Sequence, residues 1–413
     1  MRFSQYQLSE KIKKGLVEMG FNKPTDIQYK AIPSIMKGED VLAIAQTGTG
    51  KTAAFAIPII NHLYVNPRDK IHSGIRCLVM VPTRELAVQI TDVFKQLAKY
   101  TDVKILSTFG GVDQTPQIEN LETGVDVLIT TPGRMFDLHS QGYIDLKTVE
   151  TLVLDEADHM LALGFIKDIR DVIIRLPRRY QTLFFSATIN EEIKDLAYSI
   201  VRNPIRIQIS PKNPVSKNVV HQVAFVEMDD KRFFLERIIK EHEGNKFLVF
   251  VRTKVRAERV FNAMQRVGIE AITMHGDKDQ NDRLTVMEKF KSGVVNVLIA
   301  TDISARGIDI SGVNFVINYD LPDVAENYVH RVGRTGRGVE KGHALSFCST
   351  EEKEILYEIQ SFLGREIVEL KIDKVKYQMT LALTEEPNSN WQKLIEDAGN
   401  ESKKKVVRKK KRK

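Results

Sequence analysis

The chain has 413 residues, 42% hydrophobic and 28% charged, with 61 lysines and arginines against 54 acids. That length exceeds one ordinary core and predicts two domains. No apolar run reaches the roughly 18 residues of a membrane span, and the start Met1-Arg2-Phe3-Ser4-Gln5 lacks a signal peptide's apolar stretch. Residues 401–413 hold nine of the basic residues and one glutamate, leaving 52 basic against 53 acidic residues in the first 400. A generally basic surface is thereby excluded, and any nucleic-acid site in the body must be local. Cys77 and Cys348 sit in apolar runs and read as core thiols of a reducing, cytoplasmic compartment.

From about residue 25, short apolar runs alternate with helical patterns. Strands are expected at Val41–Ala45, Cys77–Val81, Ile105–Phe109, Val125–Thr130, Thr151–Asp155, Thr182–Ser186 and Ile205–Ile209. Helices fall between them, for example over 84–100 and 191–200. Nearly continuous apolar strands are those of a parallel sheet covered on both faces. The polar stretch 211–218, with Pro211 and Pro214, reads as a linker. The same grammar then restarts, with strands expected at Val220–Glu227, Phe247–Val251, Val297–Thr301, Phe315–Asn318 and Ala344–Cys348. The expected architecture is therefore two tandem α/β domains with doubly wound parallel sheets, over 1–210 and 219–372. An extension over 373–413 follows, where the pattern fades into a disordered basic tail.

Three clusters carry chemistry. Ala45-Gln46-Thr47-Gly48-Thr49-Gly50-Lys51-Thr52 matches the phosphate-binding loop between a strand and a helix, except that Ala45 replaces the first glycine. Gly48 and Gly50 let backbone N–H groups turn toward phosphate oxygens at the positive end of the next helix. Lys51 is then expected on the β- and γ-phosphates and Thr52 on magnesium. At the end of the strand from Thr151, Asp155 and Glu156 form an acid pair suited to hold the ion and to orient or deprotonate an attacking water. Far downstream, Arg331, Arg334 and Arg337 recur at spacing three among glycines. Arg334 and Arg337 are the candidate arginine fingers for a nucleotide held by the first domain, which requires the domains to close.

With these residues the chain resembles the DEAD-box RNA helicases of superfamily two, and is similar to their bacterial RhlE-like group. The resemblance runs from residue 3 to about 370 and implies two RecA-like domains that bind ATP, Mg2+ and RNA. Phe3 and the stretch Gly20 to Gln28 resemble the family's adenine-reading motif, implying ATP contacts from Phe21, Lys23 and Gln28, with Thr47, Gly48, Thr49 and Gly50 around the phosphates. Arg84 in Pro82–Ala87, then Gly110, Gly111, Thr131, Pro132, Gly133 and Arg134, match motifs that line the family's RNA path. Ser186-Ala187-Thr188 resembles its coupling motif, whose hydroxyls are expected on Asp158; a bland alternative is a helix cap ahead of Glu191. In the second half Arg252, Gly276 and Thr301 are implied on the RNA backbone, Asp309 on the ribose of ATP, and Arg306 and His330 in closure. Asp26 and His159 depart from the family's frequent proline and arginine.

The implied activity is ATP-dependent RNA unwinding, with RNA read by phosphates and 2′-hydroxyls and hence little sequence preference. The alternatives are an ATP-gated RNA clamp and a DNA translocase. A cytoplasmic monomer is expected; neither the physiological RNA nor a protein partner follows from the residues. The nine cations of the tail are expected to steepen the salt dependence of RNA binding.

Overall fold

The computed structural model describes residues 2–45, 48–67, 74–209, 218–302, 312–336, 341–372 and 374–384. Thr47, Arg306, Asp309, Arg337 and the basic tail lie outside these residues, as does the expected linker apart from Asn218.

Two seven-stranded sheets, every recorded pairing parallel, organise the described residues. The first contains β1 (Val41–Ala45), β2 (Cys77–Met80), β3 (Ile105–Thr108), β4 (Val127–Thr130), β5 (Thr151–Leu154), β6 (Gln181–Ser186) and β7 (Ile205–Ile209). The second contains β8 (Val219–Phe225), β9 (Phe247–Phe250), β10 (Ile272–Met274), β11 (Val297–Ala300), β12 (Phe315–Asn318), β13 (Gly342–Cys348) and β14 (Val368–Glu369). Their orders are β3-β4-β2-β5-β6-β1-β7 and β10-β11-β9-β12-β13-β8-β14. Shifted by seven, the second order is the first, so one topology occurs twice along the chain.

The continuous apolar runs have the expected cause. Alternate residues of β1 enter different cores: Val41, Ala43 and Ala45 on one face, Leu42 and Ile44 on the other. Both faces are covered, so the period-2 pattern of a half-exposed strand disappears. Covering helices start at side-chain caps, where Thr83 and Thr253 accept from the N–H groups of Leu86 and Arg256. Cys77 in β2 and Cys348 in β13 are buried free thiols. No helix among the described residues is long and apolar enough to cross a membrane.

Two strands escape the periodicity, β10 and β14. Both are very short and lie at sheet edges, where little apolar surface is required. The fading pattern beyond 373 also misleads, because a helix spans Lys374–Thr384. It docks on the helix Lys231–Glu241, with the Tyr377 ring tilted against Phe234, centroids 4.9 Å apart, and its hydroxyl donating to Asp230 at 2.7 Å.

In a doubly wound sheet, ligand sites gather beyond the carboxyl ends of the strands. The neighbouring strands β5, β6 and β1 lead there into Asp155, Ala187 and the phosphate-binding loop. On the other half of that edge, β3, β4 and β2 lead into Gly110, Thr131 and Thr83. The matching ends of β10, β11 and β9 lead into Gly276, Thr301 and Arg252.

Candidate active site and nucleic-acid interface

Gly48 and Gly50 have φ of +82° and +90°, the left-handed region where a side chain is strained. Gly50 caps the helix Lys51–Val65, and a Cβ there would meet the Gln28 amide nitrogen at 2.5 Å. Gln28 explains this crowding: its amide donates to the Gly50 carbonyl at 3.1 Å and accepts from the Thr25 N–H at 2.9 Å. The residue expected on the adenine edge thus also braces the loop. Phe21 stacks on Phe3 with ring centroids 6.2 Å apart, Lys23 is exposed, and Thr49 and Thr52 are half-buried. Lys51 is only 6% exposed, yet its Nζ has no hydrogen-bond partner among the described residues. An unpaired buried ammonium is costly and marks a place for an anion.

Beyond β5 the backbone turns sharply, with Glu156 at φ +53° and its N–H bonded to the Asp155 carboxylate at 3.0 Å. Such strain in a non-glycine residue belongs to sites that need a side chain aimed against local preference. Burial pushes the Asp155 carboxyl up to about 6, although Lys51 opposes it. Burial would raise Glu156 as well; His159, Lys51 and Arg334 outweigh it and hold that carboxyl down at about 2. A buried carboxyl beside an ammonium that has no hydrogen-bond partner among the described residues fits a metal–phosphate pair: Asp155 and Thr52 suit magnesium, and Lys51 suits phosphate.

Asp158 is the hub of the coupling region. Its Oδ2 accepts from the Ala187 N–H (3.2 Å), the Thr188 N–H (3.0 Å) and the Thr188 hydroxyl (3.0 Å). Ser186 does not join them. It points from the fully buried end of β6 and donates to the Thr188 carbonyl at 2.7 Å. The helix-cap reading also fails for this motif, because Asn190 caps the helix Glu191–Ile200 by accepting from the Ile193 N–H.

The second half faces these acids through the helix Ala325–Val332 and the turn after it. His330 Nε2 stands 3.9 Å from Asp158 Oδ2, and one cleft is lined by Glu156, Asp158, His159 and Thr188 together with His330 and Arg334. Arg334 donates to the His330 carbonyl at 3.2 Å, and its charge is felt at Glu156. Arg331 is different: buried, it clasps Asp302 at 2.6 and 2.7 Å and donates to Asn318 and the Asp320 carbonyl. The arginine spacing therefore mixes a structural clamp with a cleft residue.

Among the candidate RNA residues, Arg84 packs on Gly111, whose φ is +75° and whose hypothetical Cβ would fall 1.9 Å from Arg84 Nη1. Arg134 donates to the Val112 carbonyl, and Pro132 opens a helix behind Thr131. Burial, then the charges of Arg283 and Arg134, pull the Arg84 guanidinium below its ordinary value against the attraction of Glu85. Three crowded guanidinium groups suit a phosphate backbone. Nothing crowds a Cβ at Gly133 or Gly276, and at Gly110 it would be in ordinary contact with Arg84. Thr301 is half-buried after β11. Arg252, expected on RNA, is already paired with Asp323 at 3.0 Å and Glu352 at 3.5 Å, and donates to the Leu321 carbonyl.

Sequence reading missed the ion pair between Arg283 Nε and Glu85 Oε1, 3.0 Å across the two halves. Glu85 lies in the stretch Pro82–Ala87, but nothing local links it to a residue nearly 200 positions away. It also missed the contact of His159 with Glu156, 3.5 Å between Nδ1 and Oε2, which i,i+3 helical spacing would have suggested.

The DEAD/DEAH box helicase profile matches residues 25–196, and that of the helicase conserved C-terminal domain matches 230–339. The chain is 40% identical to the ATP-dependent RNA helicase RhlB of Shewanella baltica over 370 residues, 89% of this chain and 84% of that protein. It is also 40% identical over 365 residues to the DEAD-box ATP-dependent RNA helicase RhpA of Helicobacter pylori, covering 88% and 73%. Among solved structures, S. cerevisiae Dbp5 bound to RNA and ADP BeF3 matches with a TM-score of 0.82 and 29% identity, covering 93% of this chain and all of that one. Profiles across both halves, near-full-length identity and the same tandem fold lead to one conclusion: the chain belongs to the DEAD-box helicases of superfamily two.

Proposed function

We propose that this protein is an RNA-stimulated ATPase that opens short RNA duplexes locally, coupling ATP hydrolysis to closure of its two halves. One observation carries the reading. Glu156 and Asp158 of the turn after β5 and the residues His330 and Arg334 of the second half line a single cleft. Support for RNA comes from the relatives' names, and from likeness along the whole chain to a protein holding RNA and a nucleotide together. The working units are two domains, 1–210 and 219–372, followed by the extension 373–413.

Each residue's part follows from its surroundings. Gly48 and Gly50 turn N–H groups to the phosphates, and Lys51 offers them an ammonium that has no hydrogen-bond partner among the described residues. Magnesium held by Thr52 and Asp155 would supply positive charge against the phosphate oxygens. Glu156, kept ionised, accepts a hydrogen bond from the attacking water and orients it. Arg334 brings a fixed positive charge from the second half, so full activity needs the halves together. Asp158 passes their approach to residues 187–188 and on through β6. The guanidinium groups of Arg84 and Arg134 hold one strand by its backbone. Gln28, Phe21 and Lys23 would favour adenine nucleotides, with Asp309 on the ribose and Arg306 and Arg337 supporting closure.

The test is ATP turnover with and without RNA, beside strand separation of a short duplex. Glu156→Gln is expected to lower turnover about 10²–10⁴-fold. Parental protein without RNA-stimulated turnover, or a Glu156→Gln variant matching the parent, refutes the reading. Turnover with a long-lived RNA complex and no strand separation instead selects the clamp.

A further inference from the structure

We propose that His159 is the positioning residue for Glu156, holding one carboxylate oxygen so that the other is presented to the attacking water. The inference rests on the proposed ATPase reading and adds a residue to it. Glu156 leaves the chain at a strained φ of +53°, so its own backbone does not choose a relaxed direction for the side chain. The contact that the structure gives its carboxylate is His159 Nδ1, 3.5 Å from Oε2, with the two side chains 5% and 10% exposed.

His159 is poorly explained as packing. Neither ring nitrogen has a hydrogen-bond partner among the described residues, although the residue is buried. A buried imidazole without partners is a cost that an apolar residue at the same place would avoid. Its backbone, by contrast, is tightly set: the N–H bonds to Asp158 Oδ1 at 3.1 Å and to the Glu156 carbonyl at 2.9 Å. The ring therefore starts from the acid turn itself and lines the same cleft as Thr188, His330 and Arg334.

An imidazole that carries hydrogen on Nδ1 donates to Oε2 once the cleft tightens around its ligands, since catalytic hydrogen bonds commonly shorten in the working complex. The proton stays on His159 throughout. Glu156 remains ionised, and Oε1 keeps its lone pairs for water. Glu156 would thus gain a fixed orientation without losing its negative charge.

The decisive comparison uses substitutions that place a donor at different ring positions. Asparagine puts an amide nitrogen near Nδ1, glutamine puts it near Nε2, and leucine offers none. With full-length protein, ATP and a single-stranded RNA, His159→Leu and His159→Gln are expected to lower kcat about 10–100-fold, the scale of a misplaced reacting group. His159→Asn is expected to retain kcat within about threefold, and all three to keep KM for ATP and half-saturation by RNA within about twofold. Thermal unfolding of each variant identifies any that fails to fold; the Asn–Gln comparison then decides alone. Equal kcat for Asn and Gln, or an unaltered kcat for a folded Leu variant, overturns the proposal. Failure of the underlying ATPase reading is recognised separately, by a parent without RNA-stimulated turnover.

Discussion

Removing the Thr188 hydroxyl tests whether Asp158 transmits the approach of the two halves. Thr188→Val keeps the shape and deletes one of three bonds to Asp158 Oδ2, at 3.0 Å. The Ala187 and Thr188 amides still satisfy the carboxylate, so no charge is stranded. A hydrogen bond to a charged group contributes about 1.5–3 kcal/mol; residues 187 and 188 are half-buried, which places the expected loss near the lower end. Asp158→Ala is harsher, since it strips the acceptor from four donors at once, the His159 N–H included, and should cost about 3–4 kcal/mol after water reaches some of them. Hydrogen exchange at amides 187 and 188 reads this locally. A loss of about 2 kcal/mol in protection corresponds to roughly thirtyfold faster exchange. In function, Thr188→Val should hydrolyse ATP near the parental rate while opening fewer duplexes per ATP consumed. Strand separation and turnover falling in proportion would refute the coupling role. A double-mutant cycle in which the two substitutions add within about 0.5 kcal/mol would show that the contact carries no energy.

Two further outcomes follow from the second half. His221 is buried in β8 against the Tyr328 hydroxyl, 2.9 Å away, and burial, then the charge of Arg365, pulls its imidazole down to about 4. Between pH 6.5 and 4 the unfolded chain takes up a proton that the folded chain refuses, so stability present above pH 6.5 is lost as pH falls, by about 3 kcal/mol. Denaturant midpoints of His221→Leu should lose that slope, with Tyr328 retaining Ser346 as a partner; an unchanged slope would contradict it. Separately, Lys231 is fully buried and bonds Glu352 at 2.5 Å, with Asp320 at 3.8 Å. Glu352→Leu should destabilise by about 3–5 kcal/mol, and adding Lys231→Met should recover much of it, because the buried charge then disappears. Equal losses in single and double variants, measured by urea unfolding, would argue against a stranded lysine.

The strands and the chemistry of this protein were legible in different ways. Strands such as Val41–Ala45, Thr151–Leu154 and Phe315–Asn318 announce themselves because parallel strands inside a sheet must be apolar on both faces. The edge strands Ile272–Met274 and Val368–Glu369 do not, since a sheet edge demands little burial. Helix Lys374–Thr384 was missed because its docking relies on the single ring of Tyr377 and on hydrogen bonds of Tyr377 and Thr380, which leave no apolar period.

Within the site, local geometry was written in the residue types: glycine where φ must be positive, Lys51 after it, and acids closing an apolar strand. Partnership was not. Ser186 and Thr188 are both hydroxyl residues two positions apart, yet only Thr188 reaches Asp158, because Ser186 still belongs to β6 and its hydroxyl is spent on the Thr188 carbonyl. Arg331 and Arg334 look equivalent by spacing, but three positions along a helix and the turn ending it carry them from the Asp302 clamp to the cleft.

By itself, then, the sequence determined the repeating α/β grammar, the phosphate loop and the acid turn, since each depends on the allowed backbone angles and burial of a few neighbouring residues. Tertiary structure decided what those pieces face. Lys51 buried near Asp155, His159 beside Glu156, Arg334 across the cleft and Arg283 on Glu85 are outcomes of strand order and of how the halves meet. Charges separated by up to two hundred residues find one another only through the packing of the whole chain.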